Sequence, residues 1–206
     1  MPRPRFHRLD PAKRELILDA AIAEFAHQGF DGASLARIIA DAQISKGALY
    51  YWFDDKEDLF TAAAVAALRP VGLAIGKPGP VGNIDGFWSA VTGMIARAWS
   101  SLRENERGLM MLRTAIRAHT AGELGDAWRD FTGPATEAAT EIVLLGQAVG
   151  AVREDLPIDL LIAIVVGVAE AADQFFEERV ADMDNEEVDA CIEALHDVVR
   201  RIASPS

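Results

Sequence analysis

Ser45-Lys46-Gly47-Ala48-Leu49-Tyr50-Tyr51-Trp52 brings a capping hydroxyl, an ammonium group, two residues with almost no side chain and three large rings with polar tips into eight positions. On a helix starting at Lys46, at about 100° per residue, Leu49, Tyr50 and Phe53 cluster on one side. Gly47, Ala48, Tyr51 and Trp52 point the other way, and Lys46 sits at the exposed N-terminal end. An outward Tyr-Trp pair is poor chemistry against water alone. It suits a DNA major groove. Phenol O–H and indole N–H groups donate to phosphates, ring faces pack on sugars and thymine methyls, and Gly47 and Ala48 let a helix sink close to base edges. The competing reading is that the rings pack on a neighbouring helix. Lys56, in the first turn of the next helix, is also placed to meet a phosphate.

The elements that must hold this segment are legible around it. Pro11 opens a helix with Leu16, Ile17, Ala20, Ala21 and Phe25 on one face. Gly29 stops it and Phe30 turns inward. Ser34 caps a second helix, Leu35 to about Ala42, whose buried face is Leu35, Ile38 and Ala42. Gln43-Ile44 is the turn, and Ser45 caps the third helix, Lys46 to about Phe53. Asp54-Asp55-Lys56-Glu57 begins a fourth, its acids complementing the helix dipole, which runs to about Arg69. Residues 1–10 are basic and broken by Pro2 and Pro4. They read either as a flexible tail or as an arm whose Arg3 and Arg5 reach phosphates or the minor groove.

Residues 13–60 resemble the DNA-binding domain of the TetR family of transcriptional regulators. The carrying stretches are AKRELILDAAIAEFAHQGF, SLARIIADAQISKGALYYWF and DDKEDLF. The resemblance implies a three-helix head that reads DNA through Ser34, Arg37, Ser45, Lys46, Gly47, Ala48, Tyr50, Tyr51, Trp52 and Lys56. It also implies an all-helical body that binds an effector and dimerises. The turn usually carries glycine where this chain has Gln43, which places a side chain on a left-handed backbone. Threonine is common where Ala48 stands, so one hydroxyl contact is lost.

Beyond the fourth helix, Pro70 to Asn83 reads as a loop, and no GK[ST] ending makes it a phosphate cradle. Helices then follow over about 84–103, 106–119, 124–131, 134–148, 157–180 and 185–203. Candidate effector-pocket residues are Trp88, Met94, Trp99, Met110, Arg113, Arg117, His119 and Trp128; the methionines and tryptophans suit an adaptable cavity, and the cations would face an anionic ligand. The last two helices read as half of a four-helix dimer interface through Leu161, Val165, Val168, Ala172, Val188, Ile192, Leu195 and Val199.

Composition sets the bounds. The net charge of −12 argues against a nucleic-acid partner, but residues 61–206 carry 22 acids against 12 Lys/Arg, whereas residues 1–14 carry Arg3, Arg5, Arg8, Lys13 and Arg14 against Asp10 alone. One cysteine, Cys191, fits a reducing cytoplasm. The most apolar run, Leu160 to Ala172, is too short to span a bilayer, so no membrane partner is expected. No catalytic residue, metal site or cofactor is expected: His7, His27, His119 and His196 have no ligand spacing, and the acid-rich stretch 170–178 lacks a Glu-x-x-His pattern. The chain therefore reads as all-α: a basic flexible arm (1–10), a helix-turn-helix DNA-binding head (11–56) and an effector-binding and dimerisation body (57–206). The expected function is that of a ligand-responsive regulator, a repressor released from double-stranded operator DNA as a homodimer. A regulator controlled by protein partners without a small-molecule effector is the alternative.

Overall fold

The computed structural model describes residues 2–179 and 185–205, and among them every regular element is an α-helix. The helices are α1 (Pro4–His7), α2 (Pro11–Gly32), α3 (Leu35–Asp41), α4 (Lys46–Trp52), α5 (Lys56–Ile75), α6 (Ile84–Glu104), α7 (Glu106–Thr120), α8 (Gly125–Ala148), α9 (Ile158–Arg179) and α10 (Asn185–Ala203). They fall into two compact units, residues 1–76 with 97–134, and residues 77–96 with 135–206. By packing alone, the first unit is larger than the 11–56 head and takes in α5 and α7.

Side chains fix where the helices of the first unit begin. Asp10 accepts from the backbone N–H groups of Ala12 and Lys13, ahead of Pro11. Ser34, Ser45 and Asp55 cap α3, α4 and α5 by accepting from the N–H groups of Arg37, Ala48 and Asp58. Each such cap contributes about 1 kcal/mol. Gly29 does not end α2 but kinks it, with φ 72° and ψ 177°, and a further turn continues to Gly32. The kink sends Phe30 against Phe60, edge to face at 5.2 Å, beside Phe25 at 6.2 Å.

The core of this unit is made by Ile17, Ala21 and Phe25 of α2, Ile38 of α3, Leu49 of α4, Leu59, Phe60, Ala63 and Ala64 of α5, and Met111 and Ala115 of α7. Helix α5 is long and apolar enough to cross a membrane by length and composition, but this apolar surface is what it gives to that core. Asn105 caps α7 and also donates from Nδ2 to the Ala67 carbonyl at 2.8 Å. A Cβ on Gly108 would lie 3.0 Å from that carbonyl, so glycine permits the close approach of α7 to α5. Arg97 closes the end of α5 by donating to the carbonyls of Ala74 and Ile75.

Four sequence expectations change. Leu16 is 58% exposed, and the buried stripe of α2 runs through Ile17, Ala21, Ile22 and Phe25 instead. Helix α5 passes through Pro70, which lacks only its own N–H, and ends at Gly76 with φ 66°, so the loop is shorter than 70–83. Pro134 likewise lies inside one helix, α8, where two were expected. Residues 2–10 are packed into the first unit, with one turn of helix and a buried Phe6. Gln43 does adopt the left-handed backbone, with φ 53°.

In the second unit, Phe87 and Trp88 of α6, Ala151, Val152, Leu161 of α9 and Ala203 of α10 form a small core. A Cβ on Gly146 would lie 2.4 Å from Val152 and 2.6 Å from Phe87, so α8 meets both side chains at its bare backbone. Val180 and the rest of 180–184 lie outside the described residues.

The polar brace of the first unit is Glu24, 9% exposed on α2. Its carboxylate accepts from the Ser34 N–H at 2.7 Å and from Arg37 Nε at 2.9 Å. Burial alone would push this carboxyl up. The bonds from Ser34 and Arg37 and the charges of Arg37 and Lys56 outweigh burial and hold it below its ordinary value of 4.5. The stabilisation is therefore in place above that ordinary value and is lost as pH falls through the lowered one. Glu24→Gln should cost about 1–3 kcal/mol at neutral pH, because it removes a charge-assisted acceptor from a buried site. Urea unfolding should show the gap between variant and wild type shrinking below pH 4.5; a gap that stays constant into acid would contradict the brace.

Candidate nucleic-acid interface

Helices α3 and α4 are seven residues each and are joined by the turn at Gln43. Leu49 at 2% and Phe53 at 1% exposure fix one side of α4 in the core. Lys46 and Gly47 are exposed on the other side with Tyr51, and Ala48 is half-buried. Among the described residues no atom beyond the backbone of α4 and the adjoining residues lies within 4 Å of a Cβ built on Gly47, so that glycine opens the surface to an outside group. Ser34 and Ser45 are engaged as caps. Arg37 is exposed, with its guanidinium paired to Glu24 at 2.7 Å. Lys56 donates to the Asp31 carbonyl at 2.9 Å and lies 5.1 Å from the Phe30 ring centroid, so it braces the kink of α2.

Two positions of α4 differ from the helical wheel. Trp52 is buried, at 7% exposure, and Tyr50 is the ring in water, at 43%. The reason lies outside the helix. Phe6 of the N-terminal segment packs 6.4 Å from Trp52 and 4.7 Å from Phe53, and Lys13 of α2 lies 5.8 Å from the Trp52 ring. Tyr50 instead stands under the Lys46 ammonium, 6.0 Å away. Trp52 therefore supports the surface rather than presenting its ring face on it.

The N-terminal segment is fastened to the end of α4. The Arg3 N–H donates to the Trp52 carbonyl at 2.9 Å, its Nη1 to the Tyr50 carbonyl at 3.2 Å, and its guanidinium pairs with Asp54. Arg5 lies over the Tyr51 ring, 4.6 Å from its centroid. Nothing in residues 1–10 beyond their charge signalled this docking, except an isolated apolar side chain, Phe6.

The candidate effector residues are divided between the two units. Trp88 and Met94 are buried in the second unit, while Trp99, Met110, Arg113, Arg117 and His119 belong to the first. The Trp128 side chain lies outside the described residues. The second unit has a different cavity, of about 210 Å³, lined by Phe87, Trp88, Val143, Leu161, Val165 and Val199 among others. All its lining residues are apolar or aromatic, so it does not match an anionic ligand. Beside it, a second depression of about 180 Å³ holds Thr92, His196, Asp197 and Arg200 with Trp88. Trp88 Nε1 and His196 Nε2 are buried there without a hydrogen-bond partner. Burial pushes the His196 imidazole below its ordinary value, against the opposing charge of Glu193.

The dimer residues read from the sequence need the same correction. Leu161, at 1% exposure, and Ala172, at 8%, are buried within the unit, and Val165 and Val199 line its cavity. Val168, Ile192 and Leu195 are half-buried, and the Val188 side chain lies outside the described residues. The open face of α9 is one residue further round: Leu160, Ala163, Gly167, Ala171 and Phe175 are all exposed, as are Ala194 and Val198 of α10.

Residues 17–63 match the family described as bacterial regulatory proteins, tetR family. Over 79 residues the chain is 38% identical to an HTH-type transcriptional repressor of Streptomyces coelicolor, a match covering 38% of this chain and 40% of that one. It is 23% identical over 192 residues to the HTH-type transcriptional repressor AcnR of Corynebacterium diphtheriae, covering 91% and 92% of the two chains. The crystal structure of a TetR family transcriptional regulator from Chloroflexus aurantiacus superposes with a TM-score of 0.56 at 20% identity, covering 98% of this chain and 93% of that one. The match over residues 17–63 shows that the capped α3–α4 pair and its left-handed turn form part of a domain of the tetR family type, and the all-helical fold of the described residues is that of the TetR-family structure it resembles.

Proposed function

We propose that this regulator is a homodimeric repressor, not an enzyme, which binds double-stranded operator DNA through two copies of α4 and leaves it when a small apolar effector enters the cavity of the second unit. The observation that carries the reading is the division of α4: Leu49 and Phe53 are locked in the core while Lys46, Gly47 and Tyr51 stay in water on one face. Ser34, Arg37, Ser45, Ala48, Tyr50 and Lys56 complete the contact surface, the caps and braces placing hydroxyls and cations along its rim. Two such helices in a dimer read half-sites about 34 Å apart. The protein works where its DNA is, in the cytoplasm.

The exposed stripe Leu160, Ala163, Gly167, Ala171 and Phe175 supports self-association, because small side chains between larger ones let a second helix approach closely. The 210 Å³ cavity, lined by apolar and aromatic side chains throughout, supports an effector that is mainly apolar. A coupling of about 1–3 kcal/mol between effector and operator would change occupancy between several-fold and about a hundredfold.

Lys46→Ala combined with Tyr51→Ala should abolish binding to a duplex selected from a random-sequence library on the wild-type protein, with the helical spectrum and dimer mass unchanged. Retained binding would sink the assignment of α4. Gly167→Glu should give monomers in sedimentation without loss of helicity, since a side chain there meets nothing within 4 Å of its own chain; a wild-type mass would refute this face as the interface. In a thermal-shift screen, apolar compounds and not hydrophilic anions should stabilise the protein, by about 2.7 kcal/mol at a hundredfold excess over Kd. Ala139→Phe, which fills the cavity wall, should remove that shift. Equal shifts in the variant would place the ligand elsewhere.

A further inference from the structure

We propose that residues 3–8 are a second DNA-contacting element, a strap pinned to α4 by Phe6 and Arg3 so that Arg5 and Arg8 neutralise backbone phosphates flanking the half-site. The proposal rests on the reading of α4 as the DNA-contacting helix and adds residues that lie outside the helix-turn-helix.

The strap is a built feature. Phe6 is 2% exposed and closes over Phe53 and Trp52. Arg3 is its fastener, held by the Trp52 and Tyr50 carbonyls and the Asp54 carboxylate. Its guanidinium is thereby engaged on two edges and its backbone on a third, which assigns Arg3 to holding the strap. Arg5 and Arg8 take no part in the fastening and are exposed. Arg5 stands over the Tyr51 ring, 4.6 Å from its centroid. Tyr51 nevertheless remains 51% exposed, so the strap flanks the contact face and does not cover it. A guanidinium stacked on a ring keeps its N–H edge available, which is the geometry for donating to a phosphate beside the phenol.

Charge points the same way. The chain carries −12 overall, yet residues 1–14 hold five Lys/Arg against one acid. Arg3 and Phe6 make the main fastening, with Leu9 against the core and Arg14 donating to the His7 carbonyl. The remaining cations are concentrated beside the face that would meet a polyanion, and each phosphate they neutralise releases counterions.

The test uses the duplex selected on the wild-type protein and measures the dependence of log K on log salt. Arg5→Ala with Arg8→Ala should lower the magnitude of the slope by about 1.8, for two phosphates lost. Melting temperature and selected sequence should not change, and Arg5→Lys with Arg8→Lys should keep the wild-type slope. Phe6→Ala should reduce the slope with both cations still present. Unchanged slope with intact binding would overturn the strap contact and leave the α4 reading standing. A reduced slope with an altered selected sequence would overturn the phosphate assignment in favour of groove reading. Failure of the wild type to select any duplex would overturn both readings.

Discussion

A seven-residue helix cannot hold itself. Below about twelve residues, backbone hydrogen bonds do not offset the cost of nucleating a helix in water. Helices α3 and α4 are both that short, and the surface they carry depends on groups elsewhere in the first unit. The caps of Ser34 and Ser45 satisfy their first N–H groups, and Ile38, Leu49 and Phe53 tie them to α2 and α5. Glu24 adds a buried charge, reaching from α2 to both the cap and the first turn of α3. The contact surface is thus rigid because it is over-determined from behind, which limits the ordering cost of binding.

The second unit follows a different logic. Its core is small, and the space left between Phe87, Trp88, Leu161 and Val165 is apolar. That space is half open and not a sealed void, since Val166 on its lining is 46% exposed. At Gly146 the bare backbone packs closely on Phe87 and Val152, which also line that space. A regulator must hold one region invariant and leave another adjustable, and the two cores of this chain differ in that sense.

Much of the first unit was legible because its signals are local. Caps announce themselves by residue type and position, and the left-handed turn followed from Gln43 standing where glycine would relieve strain. The structure bears that out at φ 53°. Errors arose where a distant segment decided the matter. Around α4, Trp52 lies no further from Leu49 than Tyr50 does, so periodicity alone could not choose between the rings. Phe6, more than forty positions away, made the choice by covering Trp52. Pro70 and Pro134 read as breaks because proline usually ends a helix, yet α5 and α8 pass through both. On α9 periodicity could not rank the faces, because that helix is apolar nearly all round and carries little phase information. The effector residues were chosen by type, and type does not reveal that they belong to separate cores.

The first core draws Met111, Ala115 and Ala118 from α7 in among side chains of α2 and α5. The part of the protein that behaves as one solid piece is therefore discontinuous in the sequence. A chimera made by exchanging residues 11–56 with those of a relative would cut through Phe25 and Phe60, which meet edge to face at 5.0 Å. Recombination that respects this architecture must move α5 and α7 together with the head, including the Asn105–Gly108 turn that lets α7 approach α5. Exchange of α3 and α4 between relatives is then bound to a stretch of chain that lies far from them in sequence.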